Sequence, residues 1–509
     1  MSQRSFIFFL FVSSLAPHVI SADQTDASTR PKNVLFLIAD DLNTRMGCYG
    51  DKQVLTPNLD RLASQGTRFD RAYCQFPLCG PSRNSMLTGL YPDSTGIYAN
   101  SIVFRQTIPT RRSLPQAFRL DGYFAGRIGK LYHYNVPNSI GTNGHDDPGS
   151  WELELNPAGC DRLLEEGDIF SMVPGSFGGV VSWLASKRPD PEHTDSLLAD
   201  DAIWVLERMA KQQQQNDKAR PFFLAVGFYR PHTPYVAPKK YFESYPLDKM
   251  PYVSLEEANK QHDGVPKAAF GSFQSFQNEM TEQHHREALQ AYYASVSFMD
   301  AQVGRVLASL DQLGLADNTT IVFTSDHGYH LGDHGLWQKR SLFEQSARVP
   351  LIIASPGMPS GNVVTEPVGL IDLYPTLTSL CSVPIVGDVQ GQDMSPMLRD
   401  SSIKGRGYAL SQVARDGQKN KQIEGTMGYS IRTARYRYTL WAKGENGHEL
   451  YDYETDPLER VNLVDKAEHA DTVAALRKQL DDAIASSRPP SGNIPQVGPN
   501  DWAPNLTNP

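Results

Sequence analysis

The chain has 509 residues, more than one hydrophobic core usually spans, so a large domain with a smaller companion is expected. Its composition, 40% hydrophobic, 21% charged and 10% aromatic, is that of a globular protein. The formal charge of −9 excludes a surface built to coat polyanions such as nucleic acid, so any grip on an anionic substrate must come from a local basic pocket.

The N-terminus reads Met1-Ser2-Gln3-Arg4, then an apolar run from Phe6 to Val12, then small residues ending at Ser21-Ala22. A charged start, a short apolar stretch and a small-residue cleavage zone predict a secretory signal peptide over 1–22, hence a secreted, periplasmic or lysosome-like destination. Its removal takes the basic residues from 48 to 47 against 57 acids, a net charge of −10. The run falls short of the roughly 20 residues of a spanning helix. No later stretch is long enough, so no stable membrane insertion is expected. Cys48, Cys74, Cys79, Cys160 and Cys381 are odd in number and scattered, which fits neither a disulfide scaffold nor a thiolate zinc site.

After a polar leader over 23–31, Asn33 to Ala39 is a continuous apolar run, the pattern of a strand buried on both faces of a parallel sheet, and it ends at Asp40-Asp41. Similar runs recur at Tyr123 to Ile128, Phe222 to Val226, Thr320 to Phe323 and Leu351 to Ala354. Between them lie helical patterns, the clearest over Leu289 to Leu310, where Tyr292, Val296, Met299, Val303, Val306 and Leu310 share one face. Strands alternating with helices predict a doubly wound α/β sheet. Such a sheet places ligands at the carboxyl ends of its strands. Four runs lead into polar residues there: Asp40-Asp41, Lys130 with His133, Arg230 with His232, and Asp326-His327. Beyond about residue 400, Gly428 to Arg432, Tyr436 to Trp441 and Glu449 to Asp452 predict a small antiparallel sheet, followed by a helix near Asp471 to Ile484. The expected domains are 23–395 for the α/β part and 396–509 for the small sheet, helix and an irregular tail.

Adjacent aspartates after a buried strand either cap a helix or hold a hard cation such as Ca²⁺ or Mg²⁺, which favours oxygen ligands. A second acidic strand end at Asp326 favours the cation. In Cys79-Gly80-Pro81-Ser82-Arg83, Pro81 suits the first turn of a helix, placing Cys79 at an N-terminus that favours an anion. By itself the cysteine could be a thiolate of low pKa or a small buried residue beside a cap. Soft sulfur is a poor ligand for a hard cation, so an oxygen nucleophile fits the setting better. His133 between two tyrosines could equally be an aromatic-cluster member, and Lys339-Arg340 solvated surface.

The Cys79 segment with Leu87-Thr88-Gly89 resembles the signature of type I sulfatases, in which that cysteine is oxidised to formylglycine. Asp40-Asp41, Gly129-Lys130 with His133, Pro231-His232, Asp326-His327-Gly328 and Lys339 follow in the order shown by sulfatases of the alkaline phosphatase superfamily. Phe222 to Gly227, Tyr293 to Ser297 and Met427 to Thr433 resemble the iduronate-2-sulfatase branch, and the similarity runs from about residue 32 to 465. The resemblance implies an alkaline-phosphatase-like fold and a divalent cation, calcium or magnesium, held by Asp40, Asp41, Asp326, His327 and the matured Cys79. It implies that an enzyme converts Cys79 and that Arg83 orients the aldehyde hydrate. Lys130 and Lys339 would bind sulfate oxygens, His232 would protonate the leaving oxygen, and His133 would take a proton from the hydrate so that it collapses and expels sulfate.

The function these residues imply is a secreted sulfatase acting on a sulfated sugar or polysaccharide. The alternatives are a phosphonate or phosphodiester hydrolase of the same superfamily and an inactive binder of sulfated glycans. Tyr134 to Gly149, Val253 to Gly271 and the surroundings of Arg340 do not resemble the iduronate branch, and His330 and His334 are further candidates for the substrate rim.

Overall fold

Six apolar residues in a row, Val34 to Ala39, leave a strand no polar face, and Asn33–Ala39 (β1) is accordingly buried on both sides at the centre of the main sheet. The computed structural model describes residues 32–216, 219–259, 262, 264–415 and 426–497; the expected signal peptide and polar leader lie outside these. The other strands of the main sheet are Thr67–Phe69 (β2), Phe124–Gly129 (β3), Leu153–Leu155 (β4), Phe222–Gly227 (β5), Thr319–Ser325 (β6), Leu351–Ala354 (β7) and Asn362–Val364 (β8). Their order is β8-β2-β7-β6-β1-β5-β3-β4. Only β7 runs against the rest, pairing antiparallel with β6 and β2.

Alternate residues of β1 enter two separate cores. Leu35, Leu37 and Ala39 pack with the helices Thr194–Gln215 and Glu282–Gln312, while Val34, Phe36 and Ile38 face Leu114, Phe118, Leu373 and Leu377 on the other side. Helices on both faces of a mostly parallel sheet are the expected doubly wound arrangement. The 31-residue helix begins earlier than its apolar stripe because Thr281 caps it, accepting from the N–H of His284 at 3.2 Å.

Four antiparallel strands form the second sheet: Ala409–Ala414 (β9), Met427–Arg432 (β10), Tyr436–Trp441 (β11) and His448–Asp452 (β12). The helix Ala470–Ser487 packs Leu476, Leu480 and Ala483 against Ile431 and Tyr438. The edge strand β9 is not visible as alternation in the sequence, because its polar side chains are also buried. Ser411 donates to the carbonyl of Cys74 at 2.5 Å, and Gln412 donates to Asp93 at 2.7 Å. The described residues after Ser487, up to 497, form no helix or strand, and the carbonyl of Pro495 closes over Gly96, where a Cβ would lie 2.1 Å from it.

Candidate active site

Two neighbouring parallel strands end together: Ala39 of β1 pairs with Ser325 of β6, so Asp40-Asp41 and Asp326-His327 leave the sheet side by side. Asp41 has φ of 65°, a left-handed conformation that costs a residue with a Cβ and persists only when its surroundings enforce it. Its N–H donates to Asp326 Oδ1 at 3.2 Å, and the Tyr292 hydroxyl donates to its carbonyl at 2.9 Å. The carboxylate so placed is buried, and its Oδ2 has no hydrogen-bond partner.

Cys79 opens the helix Cys79–Thr88, its backbone aimed so that the helix dipole favours negative charge at the thiol. Its Sγ lies 3.1 Å from Lys339 Nζ, 3.3 Å from His327 Nε2 and 3.9 Å from Asp41 Oδ1. Burial opposes ionisation, but Lys339, Lys130 and His327 outweigh it and hold the thiol well below its usual range. The neighbouring charges respond in kind. Burial works against His327, yet Asp326, Cys79 and Asp41 push it up to about 9. Asp326 is pushed up to about 6 by burial, with Asp40 and Cys79 adding to it against Arg83 and His327.

Arg83, one turn along the helix and fully buried, does not spend its guanidinium on Cys79. It donates to Asp326 Oδ2 and to Asp40 Oδ1, both at 2.9 Å, and to the carbonyls of Lys130 at 2.7 Å and Leu131 at 3.2 Å. It thereby ties the ends of β1, β3 and β6 to the helix that Cys79 opens. Asp40 completes its pairing with Lys130 Nζ at 2.6 Å, and these cations hold its carboxyl below the usual range against the opposing effect of burial.

The two histidines differ in setting. His232 points Nδ1 at the carbonyl of Thr233, 2.6 Å away, so that nitrogen carries the proton and Nε2 faces inward, 3.2 Å from Lys339 Nζ and 3.7 Å from Asp41 Oδ2. His133 lies against Cys79, and burial with the nearby Lys130 lowers it to about 4, so it is neutral at pH 7 and able to accept a proton. Lys339 enters after the short strand Trp337–Gln338, and Gln338 and Arg340 on either side of it both have positive φ, 71° and 70°. The other sequence candidates sit elsewhere. Arg230 turns away, donating to the carbonyl of Pro234 at 2.7 Å and pairing with Asp161. His334 stacks on Phe343 and lines a separate cavity with His262 and His285, and His330 is bonded to Ser341 at 2.6 Å.

Ligand atoms of Asp41, Cys79, Asp326 and His327 lie within 4.8 Å of one another. The residues fit a divalent ion: Asp41 Oδ2 is buried without a partner, and His327 directs Nε2 into the cluster because Nδ1 faces the Gly328 carbonyl at 2.8 Å. Above the cluster opens a cavity of about 470 Å³ lined by His133, His232, Lys339, Arg340, Asn100 and Gln274 among others, with no carboxylate among the described residues of its wall. Sequence reasoning missed Asn100, which accepts from the N–H of Gly80 at 2.8 Å, and Tyr292, whose place in a helical stripe marks it as core and hides its bond to Asp41.

Residues 32–383 match the sulfatase family, and 332–486 match the C-terminal region of N-sulphoglucosamine sulphohydrolase. The chain belongs to the sulfatase family and is a sulfuric ester hydrolase of alkaline-phosphatase-like fold. Iduronate 2-sulfatase of Mus musculus is 31% identical over 93% of this chain and 98% of its own length. A sulfatase of Formosa agariphila is 32% identical over 94% and 92%. The crystal structure of a phosphonate monoester hydrolase of Agrobacterium radiobacter superposes with a TM-score of 0.73 at 25% identity, covering 90% of this chain and 96% of that one.

Proposed function

We propose that this chain hydrolyses the sulfate ester of a sulfated sugar or polysaccharide, with residue 79, matured from cysteine to formylglycine, as the nucleophile beside a divalent ion. The observation that supports this most is the convergence on Cys79 of Lys339, His327 and Asp41, with His133 and His232 facing the same point. Asp40, Asp41, Asp326 and His327 would hold the ion, calcium or magnesium, which when bound lowers the pKa of a hydroxyl at residue 79 and draws charge from the sulfate.

The chain's own residues divide the remaining work. Lys130 and Lys339 offer ammonium groups to the sulfate oxygens as charge builds on them. His232, its ring oriented by the Nδ1–H bond to the Thr233 carbonyl, acts as the imidazolium: the second proton, on Nε2, passes to the departing alcohol oxygen and leaves the neutral ring protonated at Nδ1. His133, neutral above about pH 4, takes a proton from the side chain of residue 79 to regenerate the site. Arg83 positions the carboxylates of Asp40 and Asp326.

A wall whose described residues include no carboxylate, in a chain of net charge −9 and with Arg340 next to Lys339, supports an anionic sugar as substrate. The division into a catalytic domain over 23–395 and a subdomain over 396–509, and export through 1–22, belong to the same reading. Likeness to a phosphonate monoester hydrolase keeps phosphonates and phosphodiesters as the competing substrates. Comparing kcat/KM on a panel of defined sulfated oligosaccharides with that on phosphonate monoesters and phosphodiesters decides between them. Higher values on sulfate esters are expected, and a preference for phosphorus would overturn the reading.

A further inference from the structure

Beside the segment that carries His232, three residues meet that the mechanism does not use. Cys160 opens the short helix Cys160–Leu163, Glu165 follows it, and His193 immediately precedes the long helix Thr194–Gln215. The thiol sulfur, a carboxylate oxygen and a ring nitrogen lie within 4.8 Å of one another. All three are buried, His193 completely. Neither ring nitrogen of His193 makes a hydrogen bond of normal geometry: Phe298 meets the ring edge-on, and the Arg188 main chain is the one polar neighbour close enough to act on it weakly. A buried imidazole left in this state bears an uncompensated desolvation cost that a ligand bond would remove.

We infer that Cys160, Glu165 and His193 form a second metal site, separate from the Cys79 cluster, that takes zinc. One sulfur, one nitrogen and one oxygen donor suit a borderline-soft ion and disfavour calcium or magnesium. Tetrahedral ligands 2.0–2.3 Å from zinc stand roughly 3.3–3.8 Å apart, so closure takes side-chain shifts of about an ångström. Glu165 already has the outer partner that a ligating carboxylate needs, since the Ser186 hydroxyl lies 2.8 Å from both of its oxygens. Asp161 is not the fourth ligand. It accepts from the N–H of Thr194 at 2.9 Å and from its hydroxyl at 2.7 Å, and it pairs with Arg230, so a water completes the shell.

Burial, with Asp161 and Glu165 beside it, pushes the Cys160 thiol up to about 12, and burial keeps His193 below its ordinary value and therefore neutral. Binding breaks the S–H bond, releases that proton to solvent and changes no oxidation state. The site's place in the fold gives it a task. Asp161 next to Cys160 holds the Arg230 side chain, and Asp195, two residues after His193, accepts from the N–H groups of Tyr229 and Arg230, both at 3.0 Å. Zinc here braces the turn that ends in His232.

The test uses the full chain carrying Cys79→Ser, which removes the other thiol that stands beside an imidazole. Elemental analysis after equilibration with zinc and dialysis should find about one zinc per chain, and X-ray absorption at the zinc edge should show one sulfur neighbour at about 2.3 Å among nitrogen and oxygen neighbours. Adding Ser186→Ala should weaken zinc binding by about 10-fold, and adding Cys160→Ser or His193→Ala should abolish stoichiometric binding. A zinc shell without sulfur, or binding untouched by all three changes, overturns the site. Should the Cys160 or His193 variants fail to fold, the absorption spectrum and the Ser186→Ala titration decide it alone.

Discussion

The Tyr292 hydroxyl donates to the main-chain carbonyl of Asp41 at 2.9 Å and accepts from the N–H of Asn43 at 3.1 Å, so one phenol spans the residue whose φ is 65°. A helix some 250 residues away in the chain thus holds the left-handed turn that delivers a carboxylate into the site. Tyr292→Phe leaves a buried N–H and carbonyl each without this partner. Stability should fall by about 1–3 kcal/mol in urea unfolding, and the divalent ion should bind more weakly by calorimetry. Unchanged ion affinity would mean that other contacts suffice to hold Asp41.

Cys79 should not be a cysteine in the active protein. Peptide mass spectrometry is expected to show loss of sulfur and gain of an aldehyde at residue 79. Cys79→Ala should abolish turnover while the thermal transition stays close to that of the parent, because the side chain removed is small. Full activity with a free thiol at residue 79 would defeat the nucleophile assignment.

The carboxylates of Asp41 and Asp326 and the imidazole of His327 in the cluster, with Asp40 beside them, lead to the expectation that turnover depends on a hard ion. Chelation should stop sulfate ester hydrolysis, and calcium or magnesium should restore it. Restoration by zinc alone would contradict the ligand assignment.

His232 and His133 should fail in different ways. His232→Ala should slow esters of poor alcohol leaving groups by about 10²–10⁴-fold while sparing an activated aryl sulfate, whose phenolate needs no proton. His133→Ala should release about one equivalent of alcohol per chain quickly and then stall, visible as a burst in stopped-flow assays. Equal losses on both substrate types and no burst would reduce both residues to positioning groups.

Acid should destabilise the fold through His330, which lies outside the proposed chemistry. Burial and the neighbouring His334 lower it to about 3, from the ordinary 6.5. The unfolded chain therefore binds a proton below pH 6.5 that the folded chain refuses until about pH 3. The stability tied to the neutral ring is complete above 6.5 and is lost as pH falls through that window, at about 1 kcal/mol per pH unit. His330→Gln should flatten the fall of unfolding free energy between pH 6.5 and 4. An equally steep fall in the variant would assign the effect to the other buried histidines.

The strand ends were legible because a strand buried on both faces is written as an unbroken apolar run, and topology then makes whatever follows it a rim residue. Asp40, Lys130, His232 and Asp326 were found in that way. The helix over Cys79–Thr88 was legible from Pro81, and the four-stranded sheet was legible except for β9, whose buried serine and glutamine break the alternation.

What the chain order could not reveal is who pairs with whom. Arg83 lies one turn beyond Cys79, which suggests a partner on the same helix; its guanidinium instead joins three strand ends, because a buried arginine must satisfy its donors wherever carboxylates and carbonyls converge. Lys339 lies 298 residues from Asp41 and reaches it at 2.6 Å only through the short strand Trp337–Gln338 and the positive φ values that flank it. Residue types and local periodicity determined which side chains could carry chemistry; the choice of partners came from close packing and from the cost of leaving a buried charge unpaired, both of which exist only once the chain has folded.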